Sequence, residues 1–483
     1  MNRGSSPGMS RASRLWRLMI LVHRYLGIGL GVLVFLWCTS GIIMMYVQFP
    51  AFDRTEALSG LAPLRLTGCC AVDLTAGDAA SAVDGYRVEM FDDRAVMRVT
   101  FSNGARKVFD LARGEWLDVI DDRQLDRVGQ AYAMRHGWAG AHLEERLVRD
   151  QWTVYRSFDA HRPLLKFADA EGREWYVSNQ SGEVVQLTTA RERFWNWLGS
   201  VVHWLYPTAL RQHTAVWSQI VIWLTIVALF LTVTGLVIGI KQYKIGRSGR
   251  VSPHRGWMLW HHWIGLIFGV LTLTWLVSGL FSMNPWGAFE SRSFQAESNS
   301  LRGSPGRLAT AIADLGEVAG HLPPETVRLT SANWLGLTGF VATDGRGAST
   351  RLNKAGTASR LREGDMRAAL AELGVPGEAD LTLLGEGDGY YYNHHEPREY
   401  PVFRFIFGNG ERMYVSPVSG RLLQAVDADR KWSRWVFEAL HRGDFHALAR
   451  LRPGWDIMML MLLFGVTAGA LTGVVLGYRR LTA

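Results

Sequence analysis

Cysteine is nearly absent from this sequence, with only three in 483 residues. Cys38 falls within a long apolar run, and Cys69 and Cys70 are adjacent, so a bond between those two would be strained. The spacings of a disulfide framework, of a CxxC zinc pair and of a CxxCH haem-attachment site are missing. The chain is therefore not a disulfide-stapled domain, and any haem would be held by coordination alone.

Several catalytic and nucleotide-binding patterns are also missing. The sequence contains no GxGxxG, no P-loop and no flavin fingerprint, so it offers no recognisable NAD(P)H site. Neither a Ser/His/Asp arrangement nor an HExxH motif is visible, which argues against a protease.

Acidic residues are missing from three basic segments that flank the apolar runs. The chain carries 52 Lys and Arg against 44 Asp and Glu, a net charge of +8, and much of this excess is local. By the positive-inside rule, both termini and the central linker are predicted to be cytoplasmic, and a nucleic-acid partner is not needed to explain the charge. The basic residues of the three segments are Arg3, Arg11, Arg14, Arg17 and Arg24, then Lys241, Lys244, Arg247, Arg250 and Arg255, and finally Arg479 and Arg480.

Four apolar runs are long enough to cross a bilayer as helices, since about 20 residues span the hydrocarbon core. They cover roughly 18–47, 215–240, 257–283 and 455–477. The first run is too long for a signal peptide and no A-x-A-like site closes it, so we expect an uncleaved anchor. The composition therefore predicts a membrane α-helical protein whose partner is the lipid bilayer.

An internal repeat with a constant offset of 238 residues organises the chain. The segment HRYLGIGLG from His23 returns as HHWIGLIFG from His261. A parallel duplication, with a helix, an external domain and a helix in each half, explains this offset. The other repeated pairs are Trp37 with Trp275, Ser40 with Ser278, Gly41 with Gly279, Pro163 with Pro401, Tyr176 with Tyr414, Gly182 with Gly420, Trp197 with Trp435, His203 with His441, Trp217 with Trp455 and Gly235 with Gly473.

Two polar segments, 48–193 and 287–432, lie between the spans and are predicted to be extracytoplasmic α+β domains. Residues 176–187 and 414–425 have the pattern of two strands around a Ser-Gly turn. Residues 85–111 alternate like further strands, with Asn103-Gly104 at a hairpin turn.

Helices are predicted at 122–135 and 364–374, ahead of these hairpins. The Gly-containing stretch 303–306 and the Gly/Ser/Thr-rich stretch 343–360 are predicted loops.

The predicted order of segments follows from these spans. It comprises the cytoplasmic N-terminus with the first span (1–47), the first external domain (48–193), an interfacial segment with the second span (194–240), a cytoplasmic loop (241–256), the third span (257–286), the second external domain (287–432), and an interfacial segment with the fourth span and the cytoplasmic C-terminus (433–483).

Several of these motifs together resemble the PepSY-associated transmembrane family, over residues 15 to 480. They are the HxxxGxxxG first span, the YVxxxSG hairpin, the TGxVxG ends of two spans (234–239 and 472–477) and the segment SGLFSMNPWG (278–287). The resemblance implies a bacterial inner-membrane protein with two PepSY-like external domains and a link to iron uptake. Some members resemble siderophore reductases, in which a four-helix bundle holds two b-type haems.

The histidines at repeated positions are the candidate axial ligands of those haem irons, one from each half per iron. His23 and His261 are candidates for one haem near the cytoplasmic side. His262 is an alternative, about 100° away in helical phase from its neighbour. Since the small-residue face Gly27-Gly31 recurs at Gly265-Gly269, the glycine spacing favours His261.

His203 and His441 are the candidates for a second haem near the outer surface. His213 and His446 are alternatives, but each lacks a histidine at its repeated position. His394 and His395, beside three tyrosines, are expected in a solvated loop. Ordinary surface positions are expected for His136, His142, His161, His254 and His321.

Two functions of different classes remain open at this point. One is a transmembrane oxidoreductase that takes electrons from quinol or an unidentified redox partner and passes them to an external acceptor such as a ferric siderophore. The other is a membrane-anchored PepSY sensor or binding protein without enzymatic activity, which regulates a protease or ligand uptake. The repeated membrane-edge histidines favour the oxidoreductase, because an anchor does not need them.

Overall fold

The computed structural model describes six stretches of the chain, and its residues divide into two compact units. The described stretches are 11–66, 69–243, 252–373, 379–392, 397–445 and 451–483. The first unit contains the described residues up to Phe49, Phe194–Glu290 and Asp429–Ala483. The second contains Pro50–Arg193 and Ser291–Ala428.

Four long helices dominate the first unit, and each is long and apolar enough to cross a membrane. They are α1 (Arg11–Met44), α8 (Thr214–Gln242), α9 (Trp257–Ser282) and α15 (Gly454–Leu481). Helix α1 packs against α8 and α15, and α9 packs against the same two helices, so the four form a closed ring. The prediction of four long apolar helices is confirmed, with α1 beginning seven residues earlier than expected.

Short helices precede α8 and α15 in the first unit. The chain forms α5 (Ala190–Leu198), α6 (Ser200–His203) and α7 (Thr208–Arg211) before α8. Before α15 it forms α13 (Ala428–Ser433), a π-helical turn over Arg434–Ala439 and α14 (Leu440–Arg442). These short elements carry His203 and His441.

The second unit is built from antiparallel sheets, which agrees with the predicted α+β content. Its largest sheet has eight strands in the order β12-β11-β10-β1-β2-β3-β4, with β9 against β1. The others are four-stranded, β5-β6-β7-β8 and β13-β14-β15-β16. The strands are β1 (Ala82–Phe91), β2 (Arg94–Phe101), β3 (Arg106–Asp110), β4 (Glu115–Trp116), β5 (His142–Leu147), β6 (Leu164–Ala168), β7 (Glu174–Ser178), β8 (Val184–Thr188), β9 (Gly306–Arg307), β10 (Thr326–Ser331), β11 (Gly339–Asp344), β12 (Ser349–Asn353), β13 (Asp380–Leu384), β14 (Val402–Ile406), β15 (Arg412–Val415) and β16 (Leu422–Val426).

The central sheet joins the two segments that are predicted to be separate domains. Strand β1 pairs antiparallel with β10, with Val88 opposite Leu329. Both side chains are fully buried in the core of the sheet. Apolar burial at this seam stabilises the pairing, so the two segments share one core.

A helix covers each of the smaller sheets. Helix α4 (Asp122–Arg135) begins at a capping box, in which the Asp121 carboxylate accepts from the backbone N–H of Gln124 at 2.9 Å. The indole of Trp175 in β7 donates to the carbonyl of Gly129 in α4 at 3.1 Å. Helix α12 (Glu363–Glu372) likewise covers the second small sheet with buried Met366.

Two local expectations meet different outcomes. The predicted Asn103-Gly104 turn connects β2 to β3, and Gly104 takes the positive φ of 82° that such a turn needs. The predicted loop 343–360 is wrong in part, because β12 forms there against β11 and buries Leu352. Pairing with a neighbouring strand overrides the weak propensity of this Gly/Ser/Thr-rich stretch.

The remaining helices lie in stretches for which no element is predicted, and the adjacent cysteines are bonded. Cys69 and Cys70 form a disulfide with each other. The helices are α2 (Arg54–Ser59), α3 (Ala76–Ala80), α10 (Gln295–Arg302) and α11 (Leu308–Val318).

Candidate functional site

The four repeated histidines form two pairs within the first unit. The imidazole rings of His23 in α1 and His261 in α9 have their centres 6.4 Å apart. Those of His203 in α6 and His441 in α14 are 6.2 Å apart. Each pair joins one histidine of the first half to its equivalent in the second half.

The two pairs lie toward opposite ends of the four-helix unit. His23 belongs to α1, and His203 contacts Ser40, seventeen residues further along the same helix. At about 1.5 Å of rise per residue, this separation corresponds to roughly 25 Å along the helix axis. The pairs are therefore separated by most of the thickness of a hydrocarbon core, which is about 30 Å.

His23 and His261, the inner pair, are each oriented by a hydrogen bond from one ring nitrogen. Nδ1 of His23 lies 3.1 Å from the carbonyl oxygen of Leu231 and 3.4 Å from the hydroxyl of Thr234. Nδ1 of His261 lies 3.0 Å from the hydroxyl of Thr472. Both hydroxyls donate to carbonyls of their own helices, so they accept from the imidazoles. The Nδ1 atoms therefore carry the protons, and each Nε2 keeps its lone pair.

His203 is held in the same way by the far end of α1. Its Nδ1 lies 3.0 Å from the carbonyl oxygen of Trp37 and 3.2 Å from the hydroxyl of Ser40. A carbonyl only accepts, so the Nδ1–H donates and Nε2 keeps its lone pair. Burial lowers the pKa of His203, which keeps the ring neutral.

His441 repeats this arrangement against α9. Its Nδ1 lies 3.1 Å from the carbonyl oxygen of Trp275 and 3.2 Å from the hydroxyl of Ser278. The ring of Phe437 stacks on the imidazole, with centres 5.3 Å apart. Burial, aided by the neighbouring His203, lowers the pKa of His441 to about 3, so this imidazole is also neutral at physiological pH.

A glycine faces each imidazole. A Cβ atom at Gly235 would lie 2.6 Å from Cε1 of His23, which is too close for any side chain unless the ring moves. The corresponding distances to the nearest imidazole carbon are 3.2 Å at Gly279, 3.4 Å at Gly473 and 3.6 Å at Gly41. The glycines in these helices thus allow the imidazoles to enter the bundle between backbones.

A cavity of about 720 Å³ surrounds the inner pair between the four helices. No Asp or Glu of the described residues lines it, whereas Arg24, Arg479 and Arg480 do. Nine glycines line it as well, which leaves room for a flat ligand between the helix backbones. They are Gly27, Gly31, Gly235, Gly239, Gly265, Gly269, Gly469, Gly473 and Gly477.

The alternative histidines occupy other places. His262 is buried with both ring nitrogens in use, Nδ1 at 2.7 Å from the hydroxyl of Ser252 and Nε2 at 2.9 Å from the carbonyl of Gly239. His213 is exposed at the start of α8. Three further candidates, His394, His395 and His446, lie outside the described residues.

Among the histidines expected at the surface, His161 and His254 are half-buried and hydrogen-bonded. His161 is half-buried, and its Nδ1 lies 3.1 Å from the hydroxyl of Ser178. His254 is also half-buried, with its Nε2 2.7 Å from the side-chain oxygen of Gln242.

Few metal-ligating side chains lie near the two histidine pairs. Within the described residues, no group of three or more His, Cys, Asp or Glu side chains converges in a way that could hold a metal ion. Each histidine pair therefore offers two nitrogen ligands, and a metal held there would take its other ligands from elsewhere.

The hydrogen-bond acceptors of the imidazoles were not identified from the sequence as site residues. Thr234 and Thr472 open the repeated TGxVxG motif, and Ser40 and Ser278 are a repeated pair. Their recurrence at the same offset as the histidines was the sequence feature that could have identified them. Only the packing of one helix on another shows that they contact the rings.

Neither the protein-family models nor the curated proteins include a match to this chain.

Proposed function

We propose that this chain is a transmembrane oxidoreductase of the PepSY-associated transmembrane family that holds two b-type haems. His23 and His261 are the axial ligands of one haem iron, and His203 and His441 those of the other. The reaction passes electrons across the bacterial inner membrane to an extracytoplasmic acceptor, a ferric siderophore. The donor is quinol or another redox partner.

The spacing of the paired imidazoles is the observation that carries this proposal. An imidazole nitrogen lies about 1.1 Å from its ring centre and about 2.0–2.1 Å from a metal that it binds. Two imidazoles on opposite sides of one iron therefore have ring centres about 6.3 Å apart. The two pairs have centres 6.4 and 6.2 Å apart.

The residues around the imidazoles fit the same role. The Nδ1 hydrogen bonds fix the tautomer that leaves Nε2 available, as is usual for metal-bound histidine. The glycine-lined cavity of about 720 Å³ around the inner pair gives a planar macrocycle space between the helices. A haem with two axial imidazoles supplies reversible one-electron transfer.

A tandem duplication accounts for this symmetry. Strands β6, β7 and β8 begin at Leu164, Glu174 and Val184, and β14, β15 and β16 begin 238 residues later. The hydrogen bonds of His203 to Trp37 and Ser40 recur, at the same offset, for His441. Duplication of one half thus explains why each iron would receive one ligand from each half.

The charge distribution supports an orientation with both termini in the cytoplasm. Lys and Arg concentrate at the termini and in the linker between α8 and α9, without acidic residues. His23 and His261 then lie toward the cytoplasm, and His203 and His441 toward the outside. Two carriers divide a hydrocarbon core of about 30 Å into shorter electron-transfer steps.

A visible spectrum of the purified protein, with and without dithionite, tests the proposal. We expect a Soret band, a sharp reduced α-band and, by pyridine haemochrome assay, close to two b-type haems per chain. Protein made with adequate haem supply that shows no Soret band would refute the proposal. The PepSY sensor or binding protein would then be the better explanation of the anchored external unit.

A further inference from the structure

A cleft in the second unit differs in character from the histidine pairs. Its volume is about 1440 Å³, above the 300–1,000 Å³ that is usual for a small-molecule site. One wall is formed by β1, β2 and β3 together with Arg328 of β10, and another by α4. The cleft therefore lies in the first half, touches the second half at Arg328, and has room for a ligand larger than a single phosphate or carboxylate.

The floor of the cleft contains a buried network in which guanidinium groups outnumber carboxylates. Glu89 is only 1% exposed, and its carboxylate contacts Arg98 at 3.1 Å and Arg87 at 3.3 Å, and also Arg328. Glu183 contacts Arg87 and, at 3.7 Å, Arg98. Three arginines thus face two carboxylates, which leaves one positive charge in a largely buried network.

The walls add further positive charge. Arg106 and Lys107 line the cleft from the start of β3, and the Arg106 side chain makes no ion pair or hydrogen bond with any residue that the structure describes. Seven Lys and Arg side chains line the cleft against five Asp and Glu. Of these acids, Asp92 is already paired with Arg127 at 2.6–2.7 Å.

Partly exposed aromatic rings stand beside these cations. Phe52, Tyr155 and Phe158 line the cleft and are each half-buried, as is His161. The buried hydroxyl of Ser181 lines it too, beside the carboxylate of Glu183. Guanidinium groups and aromatic faces together suit a ligand that is anionic and carries aromatic rings.

From this combination we infer that the cleft binds a ferric chelate of the anionic, catecholate class. Three catecholate groups carry six negative charges and one ferric ion carries three positive charges, so the complex is trianionic. A trihydroxamate chelate of the same ion is neutral at its core. The choice of a ferric chelate rests on the proposed function, whereas the preference for anionic aromatic ligands rests on the cleft.

The test measures binding to the full chain in detergent by isothermal titration calorimetry. Gallium(III) replaces iron so that no reduction accompanies binding. We expect the gallium tris-catecholate to bind at least about tenfold more tightly than the gallium trihydroxamate, with an affinity that falls as salt rises. Equal affinity for the two chelates would overturn the inference.

Matched variants assign the binding to the cleft. Arg106→Glu alters an exposed side chain and should weaken tris-catecholate binding about tenfold or more. Arg123→Glu is the control, because Arg123 is exposed on α4 but does not line the cleft. Equal effects of the two changes would overturn the inference. So would binding of a poly-glutamate peptide, and not of the chelate, that depends on Arg106.

Haem content separates this inference from the proposed function. Protein that contains two haems but binds neither chelate would refute the cleft assignment alone. Protein that lacks haem but binds the tris-catecholate through Arg106 would refute the redox function and support the cleft.

Discussion

At the scale of single residues, adjacent histidines have different surroundings. His261 faces His23 across the bundle, with its Nδ1 held by Thr472. His262, one position on, uses both ring nitrogens for hydrogen bonds to Ser252 and Gly239. A single step of about 100° around the helix axis separates a ring that is free to bind metal from one that is not.

The histidine assignment predicts how haem is lost from single variants. His23→Ala and His261→Ala should each deplete one haem, and His203→Ala and His441→Ala the other, because each removes one of two axial ligands. The reduced α-band should weaken by about half while the second haem remains.

His142→Ala is a suitable control, since this side chain is exposed on β5. The assignment of one ligand from each half to each haem would be wrong if His23→Ala and His203→Ala removed the same haem. It would also fail at the inner site if haem survived His261→Ala and was lost from His262→Ala.

The threonine that holds His261 gives a second residue-level prediction. Thr472→Val keeps the shape of the side chain but removes the hydroxyl that accepts from the His261 Nδ1–H at 3.0 Å, and the loss of one such hydrogen bond costs about 0.5–1.5 kcal/mol. We expect a lower thermal unfolding midpoint and faster release of the inner haem.

Thr274→Val is the matched control, because the hydroxyl of Thr274 bonds to the carbonyl of Val270 in its own helix and to no histidine among the described residues. If both variants unfolded at the same temperature and kept haem equally, Thr472 would have no role in holding the imidazole.

At the scale of elements, one glycine in each of α1, α8, α9 and α15 sets how closely that helix approaches the imidazole that faces it. The Cβ of an alanine would come within 2.6 Å of the facing imidazole at Gly235, 3.2 Å at Gly279, 3.4 Å at Gly473 and 3.6 Å at Gly41. The first distance requires the ring of His23 to move, whereas the last is an ordinary van der Waals contact.

A graded series of alanine variants follows from these distances. Gly235→Ala should deplete the inner haem most, Gly279→Ala should deplete the outer haem less, and Gly41→Ala should leave the spectrum nearly unchanged, because displacement of the imidazole decreases in that order. Reduced-minus-oxidised spectra of the purified variants measure the effect.

Gly29→Ala controls for the substitution itself, since nothing lies within 4 Å of a Cβ at this position in α1. Equal haem content in Gly235→Ala and Gly29→Ala would show that the close approach at His23 does not govern ligand geometry.

At the scale of the whole molecule, the proposed orientation places the two external segments on one side of the membrane. The strand pairing of β1 with β10 requires this, because residues of both segments share one sheet. Reporters fused after Ala483 or inserted in the linker at 244–251 should be cytoplasmic, and reporters inserted near Gly104 or Gly345 external.

Alkaline phosphatase and fluorescent-protein fusions measure the side of each position. Opposite locations for Gly104 and Gly345 would exclude both the parallel duplication and the shared sheet.

Much of the local structure could be predicted because it depends on local pattern. The helical pattern over 122–135 predicted α4, and Asn103-Gly104 predicted a hairpin turn. The strand β12 was missed because Leu352 is buried only through pairing with β11, a contact that local propensity does not encode.

The sequence by itself determined four apolar helices, two α+β segments and a set of histidines repeated at one offset, because hydrophobic length and internal repetition are properties of the chain in one dimension. Only the tertiary structure decided that His261 and not His262 faces His23, and that Thr472 holds it. It also decided that Arg87 and Arg328, far apart in the chain, meet at Glu89 beneath a cleft. Helical phase and strand pairing set these contacts, and both depend on how distant segments pack against one another.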